Sequence, residues 1–331
     1  VKKIHIVILY FMSVPNKRES RFCVVLNEVQ SMPLPTFLVV GTARAGTTAL
    51  TNYLSAHPQI GMATEKEPHF FCAKCMQGMV EGPDMKPVEC IDSLEAYKGL
   101  FSNLTNYYAV GETSVFYLYY HEASIKKIKQ ILGNPKIVMI LRNPYQRAVS
   151  AYAFLSRYGQ ETLSFSEAIN AESTRMKLKY QPMWYYRDVG LYAAQVEAFL
   201  NNFSNVHIAW FDKLEKNPRA TVSEIYRFLD VDPDFTPKII NAKYNTSGMP
   251  KTKAVYQLIE KFWRTNLIQS IYKYAEKKPA VQHLRTKVLD MLLVTPRVDR
   301  EAIRLLAPAY EIDIRRLEKV VNKDLTSWTE M

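Results

Sequence analysis

An α/β fold is what this sequence predicts: three layers with a central parallel sheet between helices, followed by a helical C-terminal part. Three observations carry the prediction. Short continuous apolar runs alternate with helically spaced stretches from Thr36 onward. The first run ends in a glycine-bearing loop that opens a helix, and past Asn245 the spacing turns almost wholly helical.

Thr36 to Val40 is continuously apolar after its threonine and stops at Gly41, as a strand buried on both faces does. Thr47 to Ser55 follows with helical spacing and ends before His57-Pro58. The alternation continues with a helix over Ser93 to Phe101, a strand near Tyr107 to Val110 and a helix over Ala123 to Leu132. Next come a strand over Lys136 to Leu141 and a helix from Pro144 to Arg157, with proline at the first helical position. A helix over Leu191 to Phe203, a strand over Val206 to Trp210 and a helix over Pro218 to Leu229 complete the alternation. Arg300 to Val321 is the longest helical pattern of the C-terminal part. Strands separated by helices imply parallel pairing with right-handed crossovers.

The 331 residues are 48% apolar, enough for one large domain, which we place at residues 32–331. Residues 1–31 read as a dispensable extension, since a convincing folded pattern begins only near Leu34. The apolar run Ile4 to Met12 is too short to span a bilayer and lacks a small-residue cleavage site, so no stable membrane anchor is expected. Forty-three Lys and Arg against 32 Asp and Glu give a net charge of +11, which favours anionic ligands. The basic residues are dispersed and no nucleic-acid-binding signature accompanies them, so nucleic acid is not the expected partner. Four cysteines do not make a disulfide framework, which points to a reducing, cytoplasmic setting. Cys72 and Cys75 have metal or redox spacing without a second ligand pair, so they read as ordinary thiols.

Gly41-Thr-Ala-Arg44-Ala45-Gly46-Thr47-Thr48 joins the first strand to the first helix, where backbone N–H groups and the helix dipole converge on an anion. It resembles a Walker A loop incompletely. The position after the second glycine, a phosphate-binding Lys in that motif, is Thr47, and the cation sits earlier at Arg44. Such a loop suits one 5′-phosphate carrying a sulfate, with no metal required. Downstream, Ile140-Leu-Arg142-Asn-Pro-Tyr-Gln-Arg147-Ala-Val-Ser150 puts an arginine at the end of an apolar strand and a serine on the next helix, where both can face one phosphate. Arg147 reads as a helix-surface charge.

The two motifs, in this order, resemble the 5′-phosphosulfate loop and the 3′-phosphate motif of the sulfotransferases that use 3′-phosphoadenosine 5′-phosphosulfate (PAPS). Gly190-Leu-Tyr192, Trp210-Phe-Asp-Lys-Leu214 with Asn217-Pro218, and Tyr310 to Trp328 are similar to further landmarks of bacterial and glycan-type members. The resemblance implies a P-loop-like fold, PAPS as sulfuryl donor and a small-molecule or glycan acceptor. Carried over residue by residue, it implies donor contacts from Arg44, Ala45, Gly46, Thr47, Thr48, Arg142 and Ser150. Phe211 stands where relatives commonly have Tyr and could pack on adenine, while Ser247, Gly248 and Lys251 look like the late loop over the cofactor.

Glu65-Lys66-Glu67-Pro-His69-Phe-Phe71 is similar to the family segment whose Glu is the general base, here Glu67. His69 is the rival base because imidazole titrates near neutral pH. Glu65 and Lys66 read as a solvated charged pair, with Lys66 able to approach the sulfate. Arg44 should stabilise charge growing on the bridging oxygen. Thr113 stands where many relatives carry Lys, which argues against a heparan-like polyanionic acceptor. A nucleotide kinase or NTPase would require a loop Lys and magnesium carboxylates, and a catalytically silent anion-binding protein would lack Arg44, Glu67 or Arg142. Neither pattern is visible.

Overall fold

The computed structural model describes residues 33–240, 249–250, 293–294 and 300–329. Five parallel strands form the sheet: β1 (Phe37–Val39), β2 (Ile60–Met62), β3 (Ala109–Thr113), β4 (Lys136–Leu141) and β5 (Val206–Trp210), in the order β2-β3-β1-β4-β5. Central β1 pairs Phe37 with Gly111 on one side and with Lys136 on the other. The order reverses at β1, so the loops leaving the C-terminal ends of β1, β3 and β4 open into one crevice, where open α/β sheets bind ligands.

Alternation along the strands divides the core into two. Leu38, Ile137, Met139 and Leu141 point into one apolar cluster, whereas Phe37, Val39, Val138 and Ile140 point into the other. The first cluster is covered by α4 (His121–Leu132), α5 (Pro144–Arg157), α8 (Ala193–Asn202) and the long C-terminal helix, here α11 (Arg300–Val321). The second is covered by α1 (Thr47–Ser55) and α10 (Pro218–Phe228). Three layers result, as the sequence predicted.

Local chemistry sets the boundaries. The Asn143 carboxamide accepts the N–H groups of Tyr145 and Gln146 at 3.0 and 3.3 Å, and Pro144 opens α5, so Asn-Pro here is a helix start. The Asn143 Nδ2 group donates to the Trp328 carbonyl at 3.2 Å, which ties the C-terminal segment to this turn. α8 has no side-chain cap of its own, and Asp313 of α11 supplies one by accepting the N–H groups of Tyr192 and Ala193. β3 extends to Thr113, beyond the expected Val110, because pairing with β1 and β2 overrides the weak strand propensity of Gly111 and Glu112. Past Asn245, where the sequence reads as almost wholly helical, the described residues also include a short strand pair, Met249–Pro250 antiparallel with Leu293–Val294. Among the described residues, no helix is long and apolar enough to cross a membrane.

Candidate active site

Gly46 ends the phosphate loop in the left-handed region at φ 89° and caps α1 without a side-chain hydrogen bond. A Cβ at this position would stand 3.0 Å from the Phe211 ring, so the loop and α9 (Phe211–Lys216) need glycine to meet. The first bond inside α1 runs from the Leu50 N–H to the Gly46 carbonyl at 3.1 Å, which leaves the preceding helical N–H groups facing the crevice. Ala45 and Thr47 are buried in the loop wall, and Thr48 is half-buried at its lip.

Arg44, Arg142 and Ser150, far apart in sequence, meet beside this loop. The Arg44 Nε group donates to Ser150 Oγ at 3.4 Å, and Arg142 Nη1 donates to the Arg44 carbonyl at 3.2 Å. The Arg44 guanidinium lies 4.5 Å from the Phe154 ring centre, and that of Arg142 lies 4.2 Å from Phe211. Both guanidinium groups thus bond to neutral oxygens and aromatic faces rather than to carboxylates among the described residues. Burial, reinforced by Arg157 and Arg142, pushes Arg44 down to about 10, and burial also lowers Arg142. The Arg142 Nε atom is buried with no hydrogen-bond partner. A half-buried pair of cations with an unused donor beside a helix N-terminus suits a ligand with several negative charges.

Across the crevice, Glu67 sits on a tight turn between β2 and the 3-10 segment Phe70–Cys72, with φ 62°. Its N–H donates to the Thr113 carbonyl and its Oε2 accepts the Val115 N–H, both at 2.9 Å, so the turn is clamped to the end of β3. The Lys66 ammonium donates to Thr48 Oγ1 at 3.0 Å and lies 3.3 Å from Glu67 Oε1. Lys66 is exposed, as expected, but it bridges the phosphate loop and Glu67 instead of pairing with Glu65. The signal was its position directly before the proposed base.

His69 is 7% exposed, stacks on Phe116 at 5.4 Å, and places Nε2 4.0 Å from Glu67 Oε2. Burial holds its pKa below the ordinary histidine value, with the Glu67 charge opposing. Arg147 is also corrected: it is fully buried and donates to the backbone carbonyls of Tyr185 and Tyr186. Tyr117, Trp184, Tyr185 and Tyr186 are buried in the core. Phe211 spends one face on Arg142 and an edge against Gly46. Ser247, Gly248 and Lys251 lie outside the described residues. The described residues contain no group of three or more His, Cys, Asp or Glu side chains that could hold a metal ion. Glu112 was overlooked beside its neighbour Thr113, although a carboxylate inside a buried strand is a conspicuous signal.

Two cations beside a helix N-terminus at the switch point of a parallel sheet, with a carboxylate across the loop, are an arrangement that suits an anionic ligand. The chain belongs to the sulfotransferase family, whose family model matches residues 35–237. Its fold is similar to that of the sulfotransferase from Alicyclobacillus acidocaldarius, with 30% identity and a TM-score of 0.69 over 89% of this chain and 99% of that one. In sequence it is similar to heparan sulfate glucosamine 3-O-sulfotransferase 6 of Mus musculus, 28% identical over 66% of this chain and 58% of the mouse protein. It is also similar to the membrane-associated sulfotransferase kil1 of Dictyostelium discoideum, 29% identical over 42% of this chain and 26% of that protein. The chain thus spans only part of the length of these curated relatives.

Proposed function

We propose that the protein transfers a sulfuryl group from PAPS to a hydroxyl or amine of a small-molecule or glycan acceptor, with Glu67 as general base. The observation that carries this reading is the pairing of two sites across one crevice: half-buried Arg44 and Arg142 beside a helix N-terminus, and the partly exposed Glu67 carboxylate joined to that loop through Lys66 and Thr48.

PAPS would supply the activated sulfuryl group and its 3′,5′-bisphosphate leaving group. Arg142 and Ser150 would hold the 3′-phosphate, and the α1 N-terminus with Gly46, Thr47 and Thr48 the 5′-phosphate. Glu67 takes the proton from the acceptor as its oxygen or nitrogen bonds to sulfur and the bond from sulfur to the phosphate oxygen breaks. Arg44 and Lys66 counter the charge that grows on that bridging oxygen. Glu67 is preferred over His69 as the base because its carboxylate is 27% exposed whereas the imidazole is nearly sealed. Thr113 spends its hydroxyl on Thr51 at 2.8 Å, so this position offers an acceptor neither a cation nor a free hydroxyl.

The test is calorimetric titration with the product nucleotide, 3′-phosphoadenosine 5′-phosphate, against ATP with no metal added. Tight binding that prefers the 3′-phosphorylated nucleotide is expected, and a preference for ATP would falsify the donor assignment. With an acceptor in hand, Glu67→Gln should lower kcat by about 100-fold or more and leave product-nucleotide affinity intact. A magnesium chelator should leave the rate unchanged.

A further inference from the structure

The fully buried carboxyl of Glu112 on β3 is linked by hydrogen bonds to the turn that carries Glu67. Its Oε1 accepts from the Tyr97 hydroxyl at 3.3 Å and its Oε2 from Ser114 Oγ at 3.0 Å, and the Tyr117 hydroxyl is a third partner. Two of these partners reach onward to the turn. Ser114 Oγ accepts the His69 N–H at 3.1 Å, and the Tyr117 hydroxyl accepts the Phe71 N–H at 3.4 Å. The turn needs such support, because Glu67 and His69 both take left-handed backbone conformations, φ 62° and 53°, that side-chain-bearing residues rarely adopt.

We propose that Glu112 is a positioning residue, a buried hub whose bridges through Ser114 and Tyr117 fix the turn from Glu67 to Phe71 and so aim the Glu67 carboxylate. The hub works as a neutral acid. Burial raises its pKa from 4.5 to about 8, and the Glu67 charge pushes the same way. Above that pH a charge appears beneath the turn with only hydroxyl donors to meet it. The other titratable groups facing Glu112 are Tyr97 of α3 (Leu94–Gly99), Tyr117, Cys72 and Glu67 itself. Burial raises both tyrosines and Cys72 well above their ordinary values, so they keep their protons after Glu112 has lost its own.

The proposal rests on Glu67 as base, and the experiment separates the two ideas by comparing Glu112→Ala, Glu112→Gln and Glu67→Gln in the full chain. Readouts are kcat against pH, product-nucleotide affinity, and the infrared carbonyl band of a protonated carboxyl. Glu112→Ala should lose on the order of 100-fold in kcat through misaimed geometry while nucleotide affinity holds. Glu112→Gln accepts from the tyrosines and donates to Ser114, so it should regain most of that loss. The wild type should show a decline in kcat as pH rises through about 8, and the protonated-carboxyl band should vanish over the same range. Glu112→Gln should lack both. Wild-type kcat in Glu112→Ala would overturn the proposal, as would an unchanged alkaline decline in Glu112→Gln, a comparison that stands even if the alanine variant fails to fold. A fully active Glu67→Gln enzyme removes the base reading whatever the Glu112 variants do. Its combination with an impaired Glu112→Ala enzyme would mean the turn is held for another group, and would overturn the aiming role.

Discussion

Arg142 leaves β4 with a buried Nε that has no partner, so its removal should be felt chiefly by the ligand it is proposed to hold. Arg142→Ala should weaken product-nucleotide binding by about 1.5–3 kcal/mol, the range for a charge-assisted hydrogen bond, and calorimetry reads the difference directly. Arg142→Lys should restore only part of it, since an ammonium cannot present the same fork of donors. Glu112 carries a stability prediction of its own. Its folded pKa lies above the unfolded value, so its contribution is complete below about 4.5 and is lost as pH rises toward about 8. The melting temperature of the wild type should therefore fall relative to Glu112→Gln across that interval; parallel curves would show that the carboxyl ionises without cost. The placement of Arg44 and Glu67 on loops, of Arg142 at a strand end and of Ser150 on the helix that follows was legible in the sequence because the signals for those elements are local. The burial of Arg147 was not legible, because carbonyls 38 and 39 positions away receive its guanidinium.

Among the elements, α1, β4, α5, β5 and α11 begin and end where apolar periodicity and proline or asparagine signals put them. β3 drifted because its buried Gly-Glu-Thr end carries neither alternation nor β-branching until Thr113, and only the sheet defines it. The short helix Phe165–Asn170 went unread, although Ser164 and Glu167 form a full capping box at its start. Gly111 shows what the sheet asks of that strand. A Cβ there would fall 2.3 Å from the Phe37 ring, which is itself wholly buried. Gly111→Val should cost about 1–3 kcal/mol through overpacking, read as a lower denaturant midpoint at an unchanged slope.

Across the whole molecule, the +11 charge sets a field that draws anions toward the protein, and salt screens that field within about 8–10 Å. Product-nucleotide association should slow as ionic strength rises, while its dissociation changes less, because Arg44 and Arg142 act from half-buried positions at contact distance; stopped-flow measurement separates the two rates. The three-layer plan was readable from the alternation of elements, whereas the attachment of α11 to α8 was not, since nothing near Tyr192 announces a partner so far along the chain. Asp313 reaches the start of α8 from 120 positions downstream in sequence. A ribosome therefore finishes all five strands of the sheet, with the phosphate loop and Arg142 already made, well before it delivers the carboxylate that caps α8. The growing chain must spend that interval with one side of its larger core uncovered, and synthesis itself, rather than any search among conformations, sets the earliest moment at which the domain can close.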